Sequence, residues 1–429
     1  MTATFMIVGV SSANLRARSR LFASPGRVPG AHWPLALTGA LIMTRAAVLA
    51  LRPSEGLIEP DPVDVQEYFS HDDIVRARRF GRPQLALHAL AGLVQMGVLI
   101  WFVAHPPRAG RTRPLVSSAL TGAALSATVG LVPLPLSALA RRRALAVGLA
   151  TQSWRGWARD VAKTSAIEVG MAAAAAPAGV ALIRRMPRWW WLPGAGVVVA
   201  GASGMTLLAP IVLEPLFNRY TPLPAGELRD DVLQLAWQAG VEVGEVYEVD
   251  ASRRTTAANA YVTGLGPTKR VVLFDTLLSC FTRDETRLVV AHELAHVRHR
   301  DVPRGLALLA LAAPAGMYAA AQITRRLVGS APADASTLPA LAVSLGVVSA
   351  AIGMVSGALS RRVESRADAF SLRLTDMPEP FVAFEQRIVK QNLSDPDPPR
   401  WLTRLLASHP PTVERIGIAL AYARSRAAV

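Results

Sequence analysis

His292-Glu293-Leu294-Ala295-His296 carries the most concentrated chemistry in the chain. On a helix, residues four apart lie one turn apart, so both imidazoles point the same way. Two nitrogens placed like this suit one zinc ion. Glu293 projects about 100° around the helix axis from His292. It therefore sits beside a metal rather than on it, able to take a proton from a water that the metal activates. The competing reading is a buried helix with two accidental histidines. The chain has 8 His, and three of them fall between His292 and His299, which favours the metal.

A catalytic zinc site keeps three protein ligands and leaves one position open. The third candidate is Glu364, in Ser360-Arg361-Arg362-Val363-Glu364-Ser365-Arg366-Ala367-Asp368, two apolar runs beyond His296. Asp368 lies one helical turn further on the same face, where it can orient a ligand imidazole. The alternative for Glu364 is a solvated helix end paired to a neighbouring Arg. The HExxH lacks the third-histidine spacing of other zinc peptidases, and that favours Glu364 as ligand. His299 shares the face of His296, but with Arg298 and Arg300 beside it the spacing predicts a helix end.

The elements around these residues are legible. Thr282-Arg283-Asp284-Glu285 fits a capping box, and Asp284 and Glu285 suit the positive end of the helix dipole. Residues 227–238 read as a helix. Residues 245–250, 259–264 and 270–275 read as strands, with Gly264, Gly266 and Pro267 turning between the last two. Such a sheet, just ahead of the metal helix, offers an edge to an extended peptide. The single Cys, Cys280, excludes an internal disulfide and any cysteine-based metal cluster. Its Leu-Leu-Ser-Cys-Phe setting predicts a small buried apolar residue.

At 429 residues, with 51% hydrophobic residues, 18% charged and mean hydropathy +0.30, the chain is more apolar than a soluble domain. Seven runs are long enough, or nearly so, to cross a hydrocarbon core: 33–51, 84–104, 115–139, 164–183, 191–213, 305–323 and 337–359. The third and seventh also fit buried soluble helices, but the set describes a multi-pass membrane protein. The net charge of +15 sits between these runs, which points to lipid headgroups and bilayer orientation rather than to nucleic acid. Arg45, His88, Gln95 and Glu168 fall within runs. Such residues usually face a bundle interior or a water-filled cavity; for Arg45 and Glu168 the alternative is snorkelling near span ends, and His88 fits a hydrogen-bonded interior group rather than a metal ligand. The segment 140–163, with Trp154 and Trp157, reads as amphipathic at the interface, and Trp189-Trp190-Trp191 as an aromatic belt at the opposite one.

The resulting division is an N-terminal arm (1–32), a five-span membrane domain (33–213), a protease segment (214–304), two further spans (305–359) and a helical C-terminal block (360–429). The arm carries Arg16, Arg18, Arg20 and Arg27 after its short apolar run, the reverse of a secretory signal. Loops 52–83 and 140–163 carry five and six Lys/Arg, against three, three and two in 105–114, 184–190 and 325–336. The first pair, and with it the protease segment, is therefore expected in the cytoplasm. The Arg-rich arm argues the other way. Abundant Ala and Arg over Lys suggest a GC-rich bacterial genome.

In combination these motifs resemble the type I CAAX prenyl endopeptidases and their HtpX-like bacterial relatives, integral-membrane zinc metallopeptidases. The resemblance rests on HELAH, Glu364–Asp368 and the paired spans. It extends to Glu214-Pro215-Leu216-Phe217-Asn218-Arg219-Tyr220, Asn259-Ala260-Tyr261, residues 270–278, Thr151-Gln152-Ser153 with Trp157, and Ser408-His409-Pro410-Pro411-Thr412 with Arg415. It implies about seven transmembrane helices around a large chamber, with a zincin-type α+β domain carrying a small sheet on the cytoplasmic side. It implies one zinc per chain on His292, His296 and Glu364, Glu293 as the catalytic base, and substrate contacts near Asn259 and His409. In this setting Asn259, with Ala260 and Tyr261, can meet a peptide backbone from an edge strand, or Asn259 can stabilise a turn. His409 can donate to an oxyanion, or cap a helix. Arg415 can brace His409 or Glu364.

The expected function is hydrolysis of peptide bonds in membrane-associated, possibly lipidated, peptides or proteins. The chain ends Ser425-Arg426-Ala427-Ala428-Val429 without an ER-retention signal, so the resemblance speaks for the chemistry more than for prenylated substrates. Two alternatives compete. A membrane signal transducer with a zinc protease domain needs outer loops longer than these. A scaffold or transporter with a vestigial metal site does not need the full set of ligand and base candidates.

Overall fold

The computed structural model describes residues 32–107, 113–264, 269–329 and 334–428. The N-terminal arm up to residue 31 and the turn residues Gly266 and Pro267 lie outside the described residues.

Among the described residues, seven helices are long and apolar enough to cross a membrane, at the seven expected runs. The first five spans are α1 (Trp33–Leu51), α2 (His71–Ala104), α3 (Pro114–Leu131) continuing into α4 (Leu134–Ala146), α5 (Trp154–Arg185) and α6 (Trp191–Leu208). Then follow α7 (Glu227–Gln238), α8 (Arg283–Arg298), the sixth and seventh spans α9 (Asp301–Val328) and α10 (Leu338–Thr375), and α11 (Pro378–Asn392), α12 (Arg400–Leu406) and α13 (Thr412–Ala427).

Several helices outrun their apolar stretch. Serine caps explain where two of them begin. Ser70 accepts from Asp73 N ahead of α2, and Ser153 from Gly156 N ahead of α5. Most consequential is α10, which continues without a break from the seventh span to Thr375 and so carries Glu364 and Asp368. Position 359–360 is a change of polarity, not of backbone.

The membrane helices form a loosely packed series rather than a solid bundle, and its ends approach where Leu182 and Ile183 of α5 join the cluster of Trp190, Ala195 and Met317. α5 lies on α3, α3 on α2, α2 on α10, α10 on α9 and α9 on α6, while α1 packs on α9 and α10. Half of the apolar stretch of α9 is buried, against none of α2 and 6% of α5. A solid bundle would bury one face of each helix. His88 follows from this. It is exposed, not interior, and its Nδ1 pairs with Gln84 O of its own helix at 2.7 Å. Arg45 and Glu168 are exposed too, while Gln95 reaches Val129 O on α3 at 3.4 Å.

The soluble part is built on a mixed sheet of order β1-β2-β4-β3. Its strands are β1 (Tyr220–Pro222), β2 (Glu245–Val249), β3 (Ala260–Thr263) and β4 (Arg270–Phe274). β2 and β4 are parallel and the outer pairs antiparallel. β1 was not anticipated, because three residues are too few to show an alternation. Val246, Val271 and Leu273 of the sheet meet Val232 and Leu235 of α7 and Val290 and Leu294 of α8 in one buried core. α8 starts at the expected capping box, with Thr282 and Glu285 each bonding the other's backbone N–H. Cys280 departs from expectation. The short helix before α8 buries Thr276 and Leu277 and turns Cys280 to the exposed side.

Both basic loops pack on this domain. Residues 52–64 run across α10 and α13, where Asp61 N bonds Gly417 O at 3.0 Å. Residues 148–152 form a bridge with Thr255, and Thr151 Oγ1 bonds Ser252 O at 2.7 Å. The two loops assigned to one side of the bilayer therefore lie with the protease segment.

Candidate metal centre and active site

α8 presents His292 and His296 on one face, and α10 crosses that face with Glu364. His292 Nε2 lies 3.3 Å from His296 Nε2 and 3.2 Å from Glu364 Oε2. His296 Nε2 lies 3.8 Å from Glu364 Oε1. In a tetrahedral shell with bonds of about 2.0–2.1 Å, neighbouring ligand atoms stand about 3.3 Å apart. The two imidazole nitrogens have the spacing of neighbours in such a shell, and the Glu364 carboxylate offers one oxygen to each of them at 3.2 and 3.8 Å.

The other ring nitrogens decide what these atoms can hold. His292 Nδ1 faces Asp368 Oδ1 at 2.9 Å, and His296 Nδ1 faces Asp301 Oδ2 at 3.1 Å. An ionised carboxylate only accepts, so each Nδ1 carries the proton and each Nε2 a lone pair. Two lone pairs and a carboxylate then converge with no donor between them. Such a donor set fits a cation. The same field acts on His292 when a proton is the only cation present. Burial alone would push its pKa down, but the Asp368 and Glu364 carboxylates draw it up to about 10.

Glu293 also lies close, its carboxyl within 4.8 Å of both imidazoles. Glu364 is nearer to both Nε2 atoms, so Glu293 is left beside the group. Burial pushes the Glu293 carboxyl up, against the pull of His292 and His296.

Asp368 is fully buried. Arg415 from α13 explains how it remains charged. Its Nε and Nη2 donate to the two Asp368 oxygens at 2.9 and 2.6 Å, and its Nη1 lies 2.7 Å from Glu385 Oε1 on α11. This corrects the expected partner of Arg415. It holds neither His409 nor Glu364, because α13 brings its guanidinium behind Asp368, on the side away from the imidazole lone pairs. Glu385 is 1% exposed, and burial pushes it up to about 7 while Arg415 pulls it down. Asp301 has a similar backing, from Arg304 and Arg366.

His409 lies on the loop before α13, exposed, with Nε2 3.4 Å from Glu364 Oε2 and Nδ1 2.8 Å from Ser408 Oγ. Asn259 is exposed at the start of β3, an edge strand paired with β4, and β3 packs beside α8. Its carbonyl accepts from Phe274 N, and its Oδ1 accepts from Ala260 N at 2.9 Å. Ala260 faces the core. The Tyr261 hydroxyl is engaged elsewhere, donating to Glu214 Oε2 at 3.0 Å and lying 2.9 Å from Tyr220 Oη. The three residues therefore do not present a common side-chain surface; Asn259 alone offers an exposed one.

Sequence reasoning noted Asp301 only for its nearness to His296, without its hold on that imidazole, and missed Arg366 and Glu385. Asp301 stands five residues after His296, a spacing that hints at contact across a helix end. Arg366 and Glu385 carry no local signal, because their partners come from other segments of the chain.

Comparison with known proteins bears on the whole arrangement. The profile of the family described as Peptidase family M48 matches residues 222–423. A protein of Bacillus subtilis (strain 168), named "Uncharacterized metalloprotease YhfN", is 33% identical over 300 residues, covering 68% of this chain and 70% of that one. This chain belongs to peptidase family M48. Other relatives match over less of their length. The "CAAX prenyl protease 1 homolog" of Oryza sativa subsp. japonica is 32% identical over 228 residues, 52% of this chain and 53% of its own. The "CAAX prenyl protease 1" of Saccharomyces cerevisiae is 43% identical over 93 residues, 21% of this chain and 20% of its own. The crystal structure of S. mikatae Ste24p superposes with a TM-score of 0.71 at 20% identity, covering 91% of this chain and all of that one, a likeness of fold. As an M48 peptidase with seven candidate membrane helices, the chain is an integral-membrane metalloendopeptidase.

Proposed function

We propose that this M48 peptidase is a zinc endopeptidase working from the cytoplasmic face of a bacterial membrane on membrane-associated, lipidated peptides. The observation that carries the reading is the convergence of His292 Nε2, His296 Nε2 and the Glu364 carboxylate within 3.2–3.8 Å, with each imidazole Nδ1 facing a carboxylate. These three side chains would hold one zinc ion. When bound, zinc supplies a Lewis acid that makes water a nucleophile near neutral pH and polarises the scissile carbonyl.

The chain's own groups do the rest. Glu293 takes the proton from the attacking water and delivers it to the leaving amine. Burial raises its proton affinity toward the range where both transfers are easy. His409, at the rim of the site, donates a hydrogen bond to the developing oxyanion. Asp368 and Asp301 hold the imidazoles by their Nδ1 protons, and Arg415 keeps Asp368 ionised. The edge of β3, with Asn259, pairs with an extended substrate backbone. The names of the plant and yeast relatives support a prenylated substrate. The relative in Bacillus and the basic loops beside the catalytic domain support the bacterial, cytoplasmic assignment.

The test is the Glu293→Gln variant of the full chain in membranes, assayed with a farnesylated and a plain peptide of one sequence. It should keep stoichiometric zinc by metal analysis and lose about 10²–10⁴-fold in cleavage. Wild-type turnover by this variant would remove Glu293 from the mechanism. Equal cleavage of both peptides would remove the lipid from the substrate.

A further inference from the structure

Behind the metal centre, on the side of Asp301, lies a cavity of about 630 Å³. Its walls are loop 50–56, His299, Arg304 and Arg366. Arg52, Arg304 and Arg366 line it together with Glu55, while Asp301 pairs with Arg304 and Arg366 from behind the wall. The loop is strapped to α10 by two other arginines, Arg362 on Pro53 O at 3.3 Å and Arg373 on Gly56 O at 2.9 Å. The wall is therefore built, not a chance fold of a surface loop. Gly56 has φ +74°, a left-handed turn that glycine adopts freely, and it lies over the stem of Arg366.

Two facts point to an anion. Arg366 is only 6% exposed, and its Nε–H has no hydrogen-bond partner among the described residues. One Nη is committed to Asp301, so the buried cation keeps a donor in need of an acceptor. The side chain of Arg52 has no ion pair among the described residues either, and it is exposed at the mouth. The position in the bilayer then selects the kind of anion. Arg52 follows directly on Leu51, where the first apolar run ends. Arg304 directly precedes Gly305, where the sixth begins. Both stand at the level where hydrocarbon gives way to headgroups, and basic pockets between membrane helices at that level hold phosphate headgroups.

We infer that this cavity binds the phosphate of an anionic phospholipid, held by Arg366 Nε from below and by Arg52 and Arg304 at the sides. Arg304 and Arg366 also contact Asp301, which holds His296. The lipid site thus adjoins the metal centre through one shared carboxylate.

Native mass spectrometry of the full-length protein, released from vesicles of phosphatidylcholine with phosphatidylglycerol, reads the inference directly. Wild type should retain one phosphatidylglycerol per chain in preference to phosphatidylcholine. Arg52→Gln should weaken that retention about fivefold, the share of one arginine at an anionic lipid surface, and leave zinc content unchanged. Glu55→Gln, which removes the opposing charge, should strengthen it and does not depend on the first variant folding. Equal retention of the two lipids, or no response to either variant, overturns the site. In delipidated protein, a thermal shift with inorganic phosphate but no lipid retention would assign the pocket to a soluble anion and overturn the lipid.

Discussion

At the scale of single residues, the site is a set of acceptors held in place by a rear layer of ion pairs. Asp368 is the pivot, since it accepts hydrogen bonds from His292 Nδ1 and from two Arg415 donors. Asp368→Asn keeps the shape and removes the charge. Zinc affinity, measured by chelator competition on purified protein, should fall about 10–100-fold, and an unchanged affinity would exclude Asp368 from supporting the metal. A pH dependence follows from His292. With its pKa drawn up to about 10 in the metal-free site, a proton must leave before a cation binds. Metal affinity should drop about tenfold for each pH unit between about 9 and 7. The metal-free protein should behave in the opposite sense. A raised pKa contributes stability that is complete below the ordinary imidazole value and is lost as pH rises through about 10. Thermal unfolding of metal-free protein should therefore occur at lower temperature at pH 10 than at pH 6. The HExxH pair and Glu364 were legible here because their chemistry is specific. Glu385 was not, because a buried glutamate looks like any other until its arginine is found.

At the scale of elements, two helices deliver the site, and their geometry has local causes. α8 begins at its capping box and ends at His299, after which Arg300 takes a left-handed turn (φ 55°) and the sixth span starts at once. α10 carries its apolar run into the soluble domain without a break, and that extension brings Glu364 to the imidazoles. The periodicity and caps of both helices are readable in sequence, but the crossing of α10 over α8 is not, since it depends on which faces meet. α13 completes the frame by pressing on loop 52–64 at Gly417. A Cβ there would stand 2.2 Å from the Asp61 carbonyl oxygen, a backbone atom that cannot swing aside. Gly417→Ala should cost about 1–3 kcal/mol by the strain of overpacking, and limited proteolysis should cut loop 52–64 faster. Wild-type proteolysis would show that the loop is held from elsewhere.

At the scale of the whole molecule, the chain carries its own reporter of orientation in the bilayer. Cys280 is the single cysteine and is exposed on the catalytic domain. A membrane-impermeant maleimide should label it in inverted bacterial membrane vesicles and not in intact cells. The reverse pattern would place the catalytic domain outside and defeat the charge argument. What the sequence alone determined were properties that need only neighbours along the chain. These are the seven apolar runs, the strands at 245–250, 259–264 and 270–275, the capped metal helix and the residue types able to bind an ion. Each rests on a period, a length or a cap, and all are set within a few turns of backbone. Tertiary structure alone decided the pairings of charge, Asp301 with His296 and Arg415 with Asp368 and Glu385, together with the loose packing of the spans and the arginine-lined cavity. Those depend on segments far apart in sequence meeting at hydrogen-bond distance, and a buried charge leaves no periodic trace of the partner that neutralises it.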